Sequence, residues 1–198
     1  MTLFSKKFFV TLFSLTFLLG ICTAAYATVL MKVEFNQMVS TSEKVIKGKV
    51  IDVRCERDET KGRIYTYSTI EVSEKYKGEA TSQIIIRQIG GTMDGVTMAI
   101  AGTPTLTMGE DVILFLVTDK TKKANMGLHF IKGMALGKYS IATDPKTSDK
   151  SVTQSLSGAS VLEKTASGTQ GDIKKADTKT VTLSQFEAKI RAEVAKQK

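Results

Sequence analysis

Between Glu43 and Ile141 the chain alternates apolar and polar positions in short runs, separated by glycines or charged clusters. A period of two broken this often predicts strands joined by turns. The run from Ile64 to Tyr76 is the clearest. Ile64, Thr66, Ser68, Ile70, Val72 and Tyr76 share one parity, and Tyr65, Tyr67, Thr69, Glu71 and Ser73 the other. β-branched and aromatic residues dominate both sets, the composition of a strand. Tyr76 is expected to cap a barrel end, and Gly78 to allow the turn that follows.

The preceding run, Lys44 to Cys55, changes parity. Ile46 and Val50 share one face, then Ile51 and Val53 take the other, with Gly48 inside the strand. An interior glycine with a parity change predicts a bulge or sharp bend, and a strand bent this way lets a small barrel close. Further strands are expected at Ile84–Ile86 and at Val96–Ile100. Asp111–Val117 is apolar on both faces and is expected to be the most buried strand. One or two short strands are expected over 128–144, with His129 among them and breaks at Gly133 and Gly137, after a polar hairpin loop at 119–127. Many short strands with Gly-rich turns predict an all-β barrel or sandwich, and closure removes exposed edges.

After Asp144 the chain turns rich in Ser, Thr, Lys, Gly and Asp, and its apolar residues lose any period. It reads as loop or linker over 143–181, with a short strand near Val152. A helix is expected over 182–196. Thr182 and Gln185 form a capping box, and Leu183, Phe186, Ile190 and Val194 make a helical stripe. Glu and Lys mix on its other face, so docking onto the barrel is expected rather than membrane binding.

The start of the chain adds a compartment. Lys6 and Lys7 precede an apolar run from Phe8 to Ile21, and Ala25 and Ala27 fit a small-x-small cleavage box. The pattern is that of a signal peptide over 1–27 with Thr28 as the mature N-terminus. The run is shorter than the roughly 20 residues of a spanning helix. Ile21 before Cys22 is too bulky for lipidation. The expectation is an exported, periplasmic or extracellular protein with no transmembrane span after cleavage, a barrel domain over 28–142 and the tail beyond.

The full chain carries 28 Lys and Arg against 20 Asp and Glu. Arginine occurs only at 54, 57, 63, 87 and 191. Mobile lysine charge suits a solvated surface or loose attraction to anions more than planar recognition. Cys55 is the one cysteine after the expected cleavage, so no internal disulfide forms; it is expected to act as a small buried hydrophobe.

Candidate chemistry is sparse. His129 is the only histidine, no Gly-x-Ser-x-Gly occurs, and a hydrolytic triad has no other base. One His and one Cys cannot build a four-ligand zinc site. Asp144 and Asp149 lack a calcium-loop pattern, and Glu110 and Asp111 point to opposite faces of a strand. The glycines of Gly90–Gly95 serve a turn, with no Walker lysine after them. No catalytic or metal-binding residue and no cofactor is expected. Tyr65 and Tyr67 with Arg63 and Arg87 offer a stacking surface; export takes most nucleic acid out of reach, so nucleic acid is not the expected ligand. The expected partner is a protein or an anionic envelope component.

Val45–Val50 and Tyr76-Lys77-Gly78, with the intervening strand, resemble the core of netrin-like modules, which include the tissue inhibitors of metalloproteinases. Gly90-Gly91, Gly102–Pro104, Gly109-Glu110, Leu114–Leu116 and Gly137-Lys138 are similar to a group of uncharacterised exported bacterial proteins. The resemblance covers Ser42 to Ile141. It implies a five-stranded OB-type barrel with a C-terminal helix and a role in partner binding, including protease regulation. The metalloproteinase inhibitors chelate zinc through a disulfide-held N-terminal cysteine. The expected Thr28 start lacks that cysteine, so the inhibitory mechanism does not carry over. The functional expectation is a non-catalytic exported binding module; the alternatives are an inhibitor or companion of an exported protease, and a hydrolase with an unrecognised site.

Overall fold

The computed structural model describes residues 29–31, 33–59, 61–120, 127–156, 160–162, 173–175 and 180–197. The expected leader, with Ala25 and Ala27, lies outside the described residues. In chain order the strands are β1 (Val29–Met31), β2 (Lys44–Arg57), β3 (Ile64–Lys77), β4 (Gln83–Ile89), β5 (Gly91–Met93), β6 (Val96–Met98) and β7 (Asp111–Thr118). They continue with β8 (Leu128–Ile131), β9 (Lys138–Thr143), β10 (Lys150–Thr153), β11 (Ser160–Leu162), β12 (Ile173–Lys175) and β13 (Thr180–Thr182). The helices are α1 (Phe35–Thr41) and α2 (Leu183–Ala195), with a 3-10 turn at Met134–Gly137. Among the described residues no helix is long and apolar enough to cross a membrane.

The fold is mostly β, with a ring of five strands and a C-terminal helix. β2, β3 and β4 form an antiparallel meander. β4 then pairs in parallel with β8 at Ile85–Leu128 and Ile86–His129. β8 runs antiparallel to β7 from Leu116 to Thr118, and β7 antiparallel to β2, which closes the ring. The edge of β7 away from β2 is shared: its second half holds β8, its first half holds β9. The sheet therefore leaves the ring through β9, β10 and β13.

β2 makes closure possible. Its pairing with β3 shifts register at Val45/Ile46, Lys47/Gly48 and Val50/Asp52. A Cβ on Gly48 would stand 2.3 Å from the Glu71 carbonyl oxygen, so only glycine permits this approach. Ile51 is the extra residue of the last shift, and beside it Val50 exchanges main-chain bonds with Glu110 O (2.9 Å) and Gly109 N (2.8 Å). The bulge reverses the side-chain alternation, so Val53 packs against the same barrel-interior cluster as Ile46 and Val50. The parity change in the sequence thus keeps one face inward rather than serving two faces. The separate shift at Lys47/Gly48 redirects Tyr76. Ser73 is skipped in the register with β2, and beyond it Tyr76 joins the cluster outside the ring instead of capping its end.

Two hydrophobic clusters flank β7. Val112, Leu114 and Leu116 fill the ring with Ile70 and Ile86; Ile113 and Phe115 point outward beneath both helices. All five of these β7 residues are fully buried, as its two apolar faces predict. In the outer cluster Phe35 packs edge-on against Phe115 and Phe186, with centroids 6.0 and 5.6 Å apart, and Tyr139 lies 4.5 Å from Phe186.

The expected C-terminal helix is α2, over Leu183–Ala195. Thr182 Oγ1 accepts from Gln185 N, and Phe186 and Ile190 are buried on the outer cluster. Each such side chain contributes about 1.5–3 kcal/mol when removed from water. Polar bonds fix the register: Lys47 Nζ stands 2.7 Å from both Glu187 and Glu74, and the Tyr76 hydroxyl donates to Glu187 at 2.7 Å. α1 was not predicted from the sequence. Seven residues are too few for a helix that stands alone, and no side chain caps its start. It is held by buried Met38 and Val39, and Lys77 donates to the carbonyls of Val39 and Ser40 at its C-terminus, where a cation is favourable.

Within 143–181, β10 places Val152 in the outer cluster and pairs with β9 and β13. The apolar alternation at Val96–Ile100 yields only β6, which pairs with β5 in a small hairpin apart from the ring.

Candidate functional site

The side chains singled out on β3 and β4 fall into two groups. Tyr65, Tyr67 and Arg87 come together on the outer face of the ring; Arg63 does not join them and lies exposed in the β2–β3 turn. Arg87 is flanked by the rings of Tyr65 and Phe130, 5.1 and 5.0 Å from its guanidinium carbon, and pairs with Asp119 at 2.9 Å. Asp119 is fully buried and the Arg87 side chain only 12% exposed. Tyr67 is 4% exposed beneath Arg54, whose guanidinium is held by Asp52 (3.2 Å) and Glu56 (3.1 Å). Guanidinium planes stack well on aromatic faces. The layer spends that property internally, so it is a packed surface rather than an open stacking platform. Asp119 and Phe130 escaped the sequence reading; the sign of Asp119 is an acid directly after the most apolar strand.

The two ends of the ring differ. At one end the segment from Ala99 to Glu110 enters the gap between β4 and β7. Leu106 lies in the interior cluster, Gln88 Nε2 donates to Pro104 O at 2.6 Å, and Ala135 N donates to Gly102 O. Glu110 ties the segment down. It accepts from Ser140 Oγ (2.6 Å) and Thr107 N (3.1 Å) and pairs with Lys138 at 2.7 Å. Burial raises the Glu110 pKa, but these donors outweigh it and hold it below the ordinary value. Between this segment and the β5–β6 hairpin opens a cavity of about 350 Å³ floored by Val53, Cys55 and Thr66. The Thr66 hydroxyl donates to Gly90 O at 2.7 Å, and Cys55 is partly buried. Gly91 closes over them: a Cβ there would come within 2.6 Å of Thr66 Oγ1 and 2.7 Å of Cys55 Sγ. Val96 and Ile100 stand exposed around the hairpin, and Met108 beyond it. Exposed β-branched residues beside a cavity were not separable, from sequence, from a buried strand.

At the opposite end a groove of about 490 Å³ is lined by Lys44, Thr81, Gln83, Gly127 and His129 among others. His129 is 6% exposed. Burial lowers its pKa first and the Lys44 charge second; main-chain hydrogen bonding with Gly127, the Glu43 charge and main-chain hydrogen bonding with Ile85 only partly offset this. No hydrogen bond to Nδ1 of acceptable geometry forms with the described residues. The Thr81 hydroxyl bonds the Gln83 carbonyl, and Lys44 Nζ donates to the Glu79 carbonyl. Among the described residues no three or more His, Cys, Asp or Glu gather in a metal-ligating group.

Comparison with models of known protein families gives no match, and comparison with curated proteins gives none.

Proposed function

We propose that the chain is an exported, non-catalytic binding module on an OB-type barrel, and that it recognises a protein partner through the mouth beside the β5–β6 hairpin. The carrying observation is the cavity of about 350 Å³ lined by exposed Ile100, with Val96 exposed on the adjoining β5–β6 hairpin. Apolar side chains around a concavity favour a partner that inserts a side chain there, since burying them removes apolar area from water. The opposite reading, a small-molecule enzyme, has less support: the mouth holds no histidine, the Thr66 hydroxyl bonds Gly90 O, and those of Thr92 and Thr97 bond each other. An OB-type identity is supported by a three-strand meander whose third strand runs parallel to the strand that closes the ring. The netrin-like resemblance and the leader over 1–27 support partner binding outside the cytoplasm.

The test is site-specific crosslinking. A photoreactive residue at Thr97, which is exposed, is expected to capture a discrete envelope or secreted protein. Val96→Asp and Ile100→Asp are expected to cut that capture at least about tenfold, roughly 1.4 kcal/mol or more, with unchanged melting. Undiminished capture in both variants overturns the assignment to the mouth. Capture of an anionic polymer instead overturns the protein partner.

A further inference from the structure

The groove at the other end of the ring has features that packing alone does not account for. His129 lies at the start of β8, where that strand meets β4, and only 6% of it is exposed. Its Nδ1 is buried without a hydrogen-bond partner among the described residues. Such an orphan costs about 1–3 kcal/mol, and native structures rarely keep one without a use. Lys44 lines the same groove, and its charge acts on the imidazole. Its bond to the Glu79 carbonyl uses one of three ammonium donors. The nearby acids have partners of their own, although the Glu43 charge also reaches the imidazole. Glu43 takes the Thr118 amide and Lys120, and the Glu79 carboxylate, almost fully exposed, reaches Lys75. Ala80 and Ile85 add an apolar wall.

We infer that this groove binds a carboxylate carried next to a small apolar group, with Lys44 pairing with the carboxylate and the His129 imidazole supplying a hydrogen bond. An ammonium and a carboxylate form a charge-assisted bond, stronger than a neutral one. The neighbouring apolar wall gives the substituent a place out of water. Two sources present this chemistry: a free short-chain acid and the C-terminal residue of a polypeptide.

The test uses the untagged full chain. Its single histidine gives one imidazole signal to follow by NMR. Propionate stands for the free acid, N-acetyl-L-alanine for a peptide C-terminus, and N-acetyl-L-alanine amide for the same group without the charge. The expected result is a saturable shift of the His129 signal with at least one acid and none with the amide. A response to N-acetyl-L-alanine alone assigns a peptide C-terminus, a response to propionate alone a free acid, and a response to both the shared carboxylate chemistry. Lys44→Met is expected to weaken binding at least about tenfold while the melting transition stays in place. His129→Gln, checked by the same transition, is expected to weaken the binding seen by calorimetry. Saturable binding of the amide as strong as the acid, no saturable response to either acid, or unchanged affinity in folded Lys44→Met overturns the inference.

Discussion

Arg87 Nη2 stands 2.9 Å from Asp119 Oδ2 in a pair almost sealed from water, with Tyr65 and Phe130 flanking the guanidinium. Removing one member leaves the other charge buried, at a cost of about 3–5 kcal/mol. Asp119→Ala is therefore expected to lower the unfolding free energy by about that amount in urea titrations. The double variant R87M/D119L, which leaves no lone charge, is expected to lose less than Asp119→Ala does.

Acid should loosen the start of β2. Glu43 accepts from the Thr118 hydroxyl and amide and pairs with Lys120, which brings its pKa from 4.5 to about 2. The folded value lies below the unfolded one, so its contribution is complete above 4.5 and is lost as pH falls from 4.5 towards 2. Equilibrium denaturation at several pH values should show stability declining through that window, with a shallower decline in Glu43→Gln.

His129 behaves in the same sense at higher pH. Burial and Lys44 favour its neutral form, so an NMR titration should place its midpoint below the ordinary 6.5. Stability linked to this group is complete above 6.5 and falls as pH drops through the folded midpoint. A midpoint at or above 6.5 would contradict this account of its surroundings.

Gly91 and Gly95 separate packing from backbone strain. Both have positive φ, at 138° and 73°, but only Gly91 meets neighbours, Thr66 and Cys55, where a Cβ would go. Gly91→Ala is expected to cost about 1–3 kcal/mol more than Gly95→Ala, from overpacking, measured by thermal or chemical unfolding.

Phe186→Ala probes the seam between α2 and the sheet. The ring is 6% exposed and touches both Phe35 and Tyr139. A loss of about 3–5 kcal/mol is expected, read as a shift in denaturation midpoint with little change in slope.

Much of this architecture was legible in the chain, for identifiable reasons. β7 announced itself because both faces are apolar, and Thr182 with Gln185 marked the start of α2. The bulges in β2 were visible as a parity change, but their effect was not. Parity says that alternation breaks, while the paired strand decides which face each half keeps, and that is why Tyr76 was misplaced. α1 has no cap and little length, so its existence depends on tertiary contacts that local pattern does not encode. At the candidate sites, the clustering of Tyr65, Tyr67 and Arg87 followed from strand register. That Asp119 consumes Arg87, and that Lys44 shares a groove with His129, depends on pairs 32 and 85 residues apart, found only once β8 lies beside β4.

One strand, β7, gives alternate side chains to two separate apolar interiors. Neither the ring nor the helical cover has a wall of its own there. Prising off the helices bares Ile113 and Phe115, and opening the ring bares Leu114 and Leu116, so each half is left with a surface it cannot keep wet. The molecule should melt in one step without a durable half-folded remnant, and the amides of Val112–Leu116 should be the last to trade hydrogen for deuterium.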